Sequence, residues 1–407
     1  MSQPFKYFDQ QVAGHDKLML LTTSTDDLMI IKPCKPKEVN FYQDAQNYPE
    51  FLDFLPQCYG TLRAATEHDL SILETSELVG DSTNCYLMET VQGLDQQEQN
   101  VCLENILHGF TRPCIMDLKM GSLLYDADAS EEKRQKMISQ SVNTTSSTLG
   151  LRISGLKVYD TVEHRYATYE KRFGKTRTVE NTVEAIMAFL FPTSAYGLKT
   201  EEYRNYSSED QQKKDEPIPS KYMRWIIECF IDTLQEIKEA IVSMPNLQLI
   251  GSSLLFVYEG DRAAAEKTWK YMLDEDRQKG KGKQTDEEED DNLAPKMCDL
   301  RLIDFAHSDW HSEREEQDPD LVKGFDNIID ILYQCLKIQH QEKLLEFFIY
   351  IQLKPGEQAA NHPFPQSKNC GLETPEGVRS GADRRCAMTT NPTVHPGFVS
   401  PDVRPRE

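Results

Sequence analysis

Apolar runs separated by polar turns predict β-strands at the start of the chain. Lys17–Thr22 and Leu28–Lys32 are two such runs, and the polar sequence Thr23–Asp27 between them predicts a β-hairpin. Lys32 ends the second strand, and the helical spacing of the apolar residues after it places Glu38 on a first helical turn. A carboxylate in that position can return to the lysine. Without wider context, such a pair is most often a surface ion pair.

Three later segments place a polar or charged residue directly beside apolar residues of strand character. They are Pro113–Gly121, Ser252–Gly260 and Leu302–His307. In the first segment Asp117 and Lys119 are separated by one residue, so their side chains point the same way from an extended strand. Such strands can hold a carboxylate and an ammonium at the mouth of a cleft.

A long amphipathic pattern from Lys221 to Ser243 predicts a core helix, and one apolar stripe runs along it: Ile226, Phe230, Leu234, Ile237 and Ile241. Residues 57–99 are polar and irregular, with one strand candidate at Cys85–Met88. Asn100–Ile106 then forms an apolar strand that leads into a polar stretch.

Charge blocks and shifts in composition mark segments that we expect to lie outside the core. Residues 276–296 contain Lys279–Gln284 and the acidic run Asp286–Asp291. Such blocks cannot bury enough apolar area to order themselves, which predicts a disordered loop. We prefer a solvating insertion over a partner-binding segment there. Beyond residue 353 the sequence is rich in Pro, Gly, Ser, Thr and Asn, which predicts a disordered tail over 353–407.

Composition narrows the classes of function. With 407 residues and 39% hydrophobic content, the chain can bury a sizeable core. Its formal net charge of −22 argues against direct nucleic-acid binding, so an anionic substrate must meet a local basic patch. The 10 cysteines have irregular spacing and no CxxC pair, which favours reduced thiols in the cytosol or nucleus. No apolar run is long enough for a transmembrane segment, and we expect a soluble protein.

The three strand segments contain the residue types that phosphoryl transfer from ATP requires. A lysine binds phosphate and a carboxylate binds Mg²⁺, with little covalent machinery besides. Taken alone, the pattern PxxxDxKxG could equally be a strand end followed by a turn. It is accompanied, in order, by further motifs: Leu103–Asn105, Tyr125–Asp126, Ala129–Lys133, Leu149–Gly150 with Gly155, Phe173–Lys175 and Gly324–Asn327.

On these motifs the chain resembles the inositol polyphosphate kinases from about Gln11 to the mid-330s, and within the family the fungal multikinases of the arginine-regulator type. The resemblance implies an α+β, two-lobed fold, distantly protein-kinase-like, with antiparallel sheets and helices. The amino-terminal lobe with the hinge would cover 1–106. The carboxy-terminal lobe with the inositol-phosphate site would cover 107–352.

The resemblance also implies the nucleotide site. Lys32 would contact the ATP phosphates and pair with Glu38, while Asp304 would bind Mg²⁺ as the metal ligand. The catalytic residues would be Lys119, Asp304 and Asp117, of which Asp117 also serves the ribose. The hinge and the strand below the nucleotide would supply the remaining contacts: Glu104, Asn105, Ile106, Ser252 and Ser253. Animal multikinases commonly have Asp in place of Asn105.

The densest basic region of this acidic chain is its best candidate for a substrate site, because a polyphosphorylated ring needs such a cluster. The resemblance assigns the inositol phosphate to Lys119, Lys133, Lys136, Lys157, Lys171 and His307. Ser130 is a candidate N-cap for a helix on which Lys133 and Lys136 share a face. We expect the basic residues that the resemblance does not assign to be solvated: Arg134, Arg152 and Arg177.

The expected activity is phosphorylation of inositol 1,4,5-trisphosphate and the tetrakisphosphate to the pentakisphosphate. One alternative is an inositol hexakisphosphate kinase, although those enzymes usually have a longer insertion before the hinge than residues 57–99 provide. A second is a scaffold for transcription factors, suggested by the acidic loop and by dual roles of fungal members. We expect a monomer in the nucleus and cytoplasm. No general base is evident.

Overall fold

The computed structural model describes residues 5–14, 17–21, 27–64, 86–89, 99–208, 216–279, 295–310 and 313–344. The strands are β1 Phe5–Tyr7, β2 Met19–Leu21, β3 Met29–Cys34, β4 Cys58–Ala64, β5 Tyr86–Glu89, β6 Gln99–Glu104, β7 Pro113–Met120, β8 Leu151–Asp160, β9 Arg165–Tyr169, β10 Arg204–Tyr206, β11 Leu247–Gln248, β12 Ser253–Glu259, β13 Cys298–Ile303 and β14 Asp309–Trp310. The α-helices are α1 Pro36–Ala45, α2 Pro49–Leu52, α3 Glu131–Val142, α4 Thr145–Leu149, α5 Lys171–Lys175, α6 Thr182–Leu190, α7 Ala195–Leu198, α8 Ser220–Ser243, α9 Arg262–Lys279 and α10 Pro319–Glu342. Two 3-10 turns cover Val179–Asn181 and Glu201–Tyr203.

Two antiparallel six-stranded sheets organise the chain. The amino-terminal sheet has the order β1-β2-β3-β6-β4-β5, and the carboxy-terminal sheet has the order β10-β9-β8-β7-β12-β13. β11 and β14 form a separate pair. The chain crosses from one sheet to the other between Glu104 and Pro113. This mixture of antiparallel sheets and helices confirms the predicted α+β fold.

Local patterns account for most of these elements. The predicted hairpin is present, since β2 and β3 pair through Met19 and Ile31. α8 was predicted at almost the same bounds, and every residue of its apolar stripe is buried. β4 was missed, because the bulge between Cys58 and Gly60, where Gly60 has φ 126°, interrupts the alternation of polar and apolar residues.

Aromatic stacking fixes α1 against the segment that follows β13. The rings of Phe41 and Phe305 stack with centroids 4.2 Å apart, and Trp310 stacks on Tyr48 at 4.3 Å. The Phe305 amide also donates to Glu38 Oε1 at 3.3 Å. The end of β13 is therefore held against the helix that follows β3.

Close backbone contact places α10 against the turn before β8. Gly150 has φ 66°, a conformation that favours glycine. A Cβ at Gly150 would collide with the backbone of Asp320 and Gly324, and a Cβ at Gly324 would collide with the Gly150 carbonyl. Asn327 Nδ2 donates to the Leu149 carbonyl at 2.8 Å. Two of the motifs that carried the resemblance thus form one structural contact.

The segments predicted to be disordered are mostly beyond what the structure describes. α9 continues to Lys279, so the first residues of the predicted loop 276–296 are helical. Residues 280–294 and the tail 353–407 lie outside the described residues. Among the residues that are described, no helix is long and apolar enough to cross a membrane.

Candidate active site

Asp304 lies directly after β13 and contacts two lysines from different sheets. Its Oδ1 is 2.9 Å from Lys32 Nζ, and its Oδ2 is 3.4 Å from Lys119 Nζ. Its φ of 65° is left-handed, a conformation that Asp and Asn adopt more readily than most residues. The strand end therefore aims one carboxylate at two ammonium groups.

Lys32 is held from both sides by carboxylates. Besides Asp304, Glu38 Oε1 accepts a hydrogen bond from Lys32 Nζ at 2.7 Å, as the position of Glu38 on the first turn of α1 predicted. Burial alone would lower the pKa of Lys32, but the charges of Asp304 and Glu38 outweigh it and raise the pKa. Burial likewise opposes ionisation of Asp304, yet Lys32 and Lys119 lower its pKa. Lys32 and Asp304 thus both remain charged near neutral pH.

Lys119 is positioned by the neighbouring strand. In the β7–β12 register it lies opposite Ser253, and its Nζ donates to Ser253 Oγ at 3.2 Å and to the Gly251 carbonyl at 2.9 Å. These contacts leave the ammonium beside Asp304, where an ATP phosphate could replace the carboxylate as its partner.

Asp117 is buried below Lys119, with 3% of its surface exposed. Burial raises the pKa of this carboxyl, against the opposing charge of Lys119. Within the described part of the chain, its buried Oδ1 and the buried Ser252 hydroxyl have no hydrogen-bond partner. Arg152, which we expected to be solvated, is also buried, since it lies opposite Lys119 on β8 with its charge near Asp117. That expectation was wrong because the pattern of β8 does not reveal its neighbours.

The carboxylates at this site suit a divalent metal ion that would take most of its ligands from the phosphates of a bound nucleotide. Carboxylate oxygens are hard ligands that suit Mg²⁺ or Mn²⁺, and Asp304 offers one at the cleft. The unpartnered Oδ1 of Asp117 is a second buried oxygen nearby. Among the described residues, no group of three His, Cys, Asp or Glu side chains could hold a metal ion alone. Phosphate oxygens would have to complete the coordination.

The hinge is fixed by hydrogen bonds that the sequence did not reveal. The Asn105 amide N–H donates to the Leu28 carbonyl at 2.8 Å, and its Nδ2 donates to the Asp27 carbonyl at 2.6 Å. Its Oδ1 accepts from the Leu107 amide at 3.1 Å. Asn105 therefore shapes the hinge. Glu104 is bonded to Gln57 through backbone and side chain, and Ile106, the third hinge residue, is buried.

Two of the predicted substrate residues, Lys133 and His307, contact each other. Ser130 caps α3, as predicted, by accepting from the Lys133 amide at 3.3 Å. From this first turn Lys133 Nζ reaches His307 Nε2 at 3.4 Å, and His307 Nδ1 is 2.6 Å from Asp126 Oδ2. Asp126 belongs to one of the motifs that carry the family resemblance, but the sequence analysis assigned it no role.

The other three substrate lysines are not brought to Asp304 by any contact in the described residues. Lys136 is exposed on α3. Lys157 Nζ donates to Gln10 Oε1 at 2.7 Å and lies over the Tyr166 ring, and burial lowers its pKa. Lys171 lines a cavity of about 390 Å³, whose other walls come from residues 7–17. Their roles in substrate binding remain predictions.

The remaining basic residues lie on aromatic rings. Arg134 lies over the Tyr125 ring at 5.6 Å, and Arg177 lies over Phe173 at 4.5 Å. Both residues are half-buried, and Arg177 Nε donates to the Phe173 carbonyl at 2.9 Å, so the expectation that they are solvated holds only in part.

A strand-end carboxylate between two lysines, with a paired glutamate on the helix that follows β3 of the amino-terminal sheet, is the arrangement of a two-lobed kinase. The sequence comparisons narrow the class. The chain belongs to the inositol polyphosphate kinase family, whose model matches residues 100–333.

Two fungal relatives match most of this chain. It is 26% identical to the inositol polyphosphate multikinase of Saccharomyces cerevisiae, covering 80% of this chain and 97% of that protein. It is 27% identical to the one of Schizosaccharomyces pombe, covering 82% and 98%. Mouse inositol hexakisphosphate kinase 3 is 28% identical, but the match covers 58% of this chain and 51% of that protein. The structure is similar, with a TM-score of 0.52 and 25% identity, to the crystal structure of the S. cerevisiae inositol phosphate multikinase in complex with ADP and Mn²⁺, covering 76% and 99%.

Proposed function

We propose that this kinase is an inositol polyphosphate multikinase, which transfers the ATP γ-phosphate to inositol 1,4,5-trisphosphate and to the resulting tetrakisphosphate, giving the pentakisphosphate. The observation that carries the proposal is the Asp304 carboxylate between Lys32 and Lys119, at 2.9 and 3.4 Å. Matches over at least 97% of two fungal multikinases support the choice of substrate class.

In the proposed reaction, each charged residue of the site has a separate role that follows from its position. Lys32 would bind the ATP phosphates with Glu38 as its fixed partner, and Lys119 would neutralise charge on the transferred group. Asp304 would hold Mg²⁺, which supplies charge neutralisation of the phosphates when bound. The Lys133–His307 pair would bind a phosphate of the ring. Catalysis then depends on positioning and charge, as a loose phosphoryl-transfer transition state permits.

A hexakisphosphate kinase is the second candidate, because the mouse inositol hexakisphosphate kinase 3 is 28% identical to this chain over the matched region. The coverage separates the two candidates, since that match reaches 51% of the mouse enzyme and the fungal matches reach 97% and 98%. We therefore place pyrophosphate synthesis below multikinase activity.

Location and partners are part of the same proposal. The seven cysteines among the described residues are all free thiols, which fits the reducing nucleus and cytoplasm. A role as a monomeric scaffold for transcription factors is supported by the composition of the acidic run and by the dual roles that the resemblance to fungal members implies, and it is compatible with catalysis.

The decisive experiment is an assay of the purified protein with ATP and separated inositol phosphates. We expect the trisphosphate and tetrakisphosphate to be consumed, with Mg²⁺ and Mn²⁺ both supporting turnover. The hexakisphosphate should be left unchanged. Consumption of the hexakisphosphate alone would favour the second candidate, and no consumption of any inositol phosphate would overturn the proposal.

A further inference from the structure

Three separate segments meet at the His307 imidazole. Asp126 comes from the loop after β7, Lys133 from the first turn of α3, and His307 from the turn after β13. The contacts are Nδ1 to Asp126 Oδ2 at 2.6 Å and Nε2 to Lys133 Nζ at 3.4 Å. The side chains of His307 and Asp126 are 26% and 12% exposed, so the short contact is shielded from most solvent.

The chemistry of the partners fixes the protons on the imidazole. A carboxylate only accepts and an ammonium only donates. Nδ1 must therefore carry the hydrogen that it donates to Asp126, and Nε2 must accept from Lys133. Burial alone would raise the pKa of Asp126, but the hydrogen bond from His307 and the charges around it lower that pKa. The accepting carboxylate is thus ionised at neutral pH.

We propose that Asp126 is a positioning residue that makes His307 the proton-linked half of a phosphate clamp, an inference that rests on the proposed function. When a ring phosphate reaches Lys133, the ammonium donates to the phosphate instead of to Nε2. Nε2 then takes up one proton from solvent and donates as N–H to the same phosphate. Asp126 balances the imidazolium charge. Where the free imidazole is neutral, binding of one inositol phosphate is accompanied by uptake of one proton.

The charged groups around the imidazole determine the sign of the pH effect. Asp126 and Lys133 contact it directly, and Lys37 on α1 acts on Asp126 while it pairs with Asp309 at 3.4 Å. Bound phosphate and Asp126 both favour the imidazolium. The KM for the inositol phosphate should therefore rise as the pH increases through the range in which an imidazole loses its proton, by up to about tenfold per pH unit.

The test compares Asp126→Asn with Asp128→Asn, which removes an exposed carboxylate from the same loop. KM values for inositol 1,4,5-trisphosphate and for ATP would be measured between about pH 5.5 and about pH 8.5, the range in which histidine titrates. Asp126→Asn should raise the inositol-phosphate KM by about tenfold at the acidic end and flatten its pH dependence, since one pKa unit corresponds to tenfold. The ATP KM should stay the same. Asp128→Asn should match the wild type.

Proton uptake can also be measured without any variant. Calorimetric titration of the wild-type protein with inositol 1,4,5-trisphosphate, in two buffers of different ionisation enthalpy, should show proton uptake that rises toward one as the pH increases through the range in which histidine titrates. Zero uptake across the range, or a wild-type pH dependence in Asp126→Asn, would overturn the inference. If the enzyme is active in either case, the proposed function stands. Inactivity on every inositol phosphate would refute the function itself.

Discussion

At the scale of single residues, the site is a balance between one carboxylate and two ammonium groups. Asp304 faces Lys32 and Lys119, which come from different sheets. In a kinase, phosphates and their metal ion would enter between these charges. Substitutions here should therefore separate nucleotide binding, phosphoryl transfer and stability.

Asp304→Asn should reduce turnover by about 1,000-fold or more, because it removes the proposed metal ligand, and metal-ion stabilisation of phosphoryl charge contributes several kcal/mol. The backbone should be preserved, since Asn tolerates the left-handed φ of 65°. Steady-state kinetics and circular dichroism would check both points. Asp309→Asn removes a carboxylate five residues later that pairs with Lys37 instead, and it should keep most of the activity. Substantial activity in Asp304→Asn would refute the metal assignment.

The same variant should reveal a stability effect that depends on pH. The pKa of Asp304 is lowered in the folded protein, so its ionised form contributes stability above the unfolded value of ~3.9. That contribution is lost as the pH falls through the folded pKa. We expect urea denaturation to show wild type more stable than Asp304→Asn at neutral pH, with the gap narrowing below about pH 4. A gap that widens on acidification would contradict this sign.

Lys119→Ala should lower kcat by about 100-fold and change the ATP KM much less, because the ammonium is proposed to act on charge that develops during transfer. Initial-rate kinetics with ATP and the inositol phosphate varied in turn would separate the two effects. Lys323→Ala, at an exposed position on α10, provides a control for loss of a lysine. A rise in the ATP KM alone would make Lys119 a nucleotide-binding residue.

At the scale of elements, helices and strands with a regular local pattern could be predicted from the sequence, whereas contacts between distant segments could not. α8 and its buried stripe follow from a 3.6-residue period over 24 residues. The bulge in β4 interrupts the alternation of polar and apolar residues, so the sequence did not predict this strand. Glu38 could be placed against Lys32 because the two residues are only six positions apart in the sequence. The burial of Arg152 and the Asp126–His307 contact depend on residues far apart in sequence, whose meeting no local pattern encodes.

The α10 contact provides a prediction at this scale. In an open helix Gly→Ala stabilises by about 1 kcal/mol, but Gly324→Ala should destabilise the protein by about 2 kcal/mol or more. Its Cβ would collide with the Gly150 carbonyl, and backbone cannot move aside as a flexible side chain can. Chemical denaturation would measure the change. Lys323→Ala, one position earlier and exposed, should change stability by no more than about 0.5 kcal/mol.

At the scale of the whole molecule, two sheets share one site. Lys32 comes from the amino-terminal sheet, whereas Lys119 and Asp304 come from β7 and the end of β13 in the other sheet. The two-lobed architecture was predictable from the resemblance. The packing that sets the distance between the lobes could not be predicted, because it depends on aromatic residues that look like ordinary core positions in the sequence.

Removal of residues 281–293 should leave kinase activity and the melting temperature nearly unchanged. The prediction rests on composition, because charge blocks contribute few buried contacts, and halving a loop changes its closure cost by only ~0.6 kcal/mol. Thermal melts and initial rates would test it, with the intact chain as the reference. A melting temperature lower by many degrees would show that the acidic run belongs to the folded lobe. Loss of a bound protein with activity retained would favour the scaffold role.

The aromatic stack between the lobes gives the molecule a spectroscopic reporter. Of its three tryptophans, Trp225 and Trp269 contact each other in an edge-on arrangement, and Trp310 alone stacks with Phe41 and Tyr48 across the lobes. Replacing the first two with phenylalanine would leave a single indole at this junction. Its emission would then follow any opening of the lobes while nucleotide enters or leaves, in real time and without an added dye.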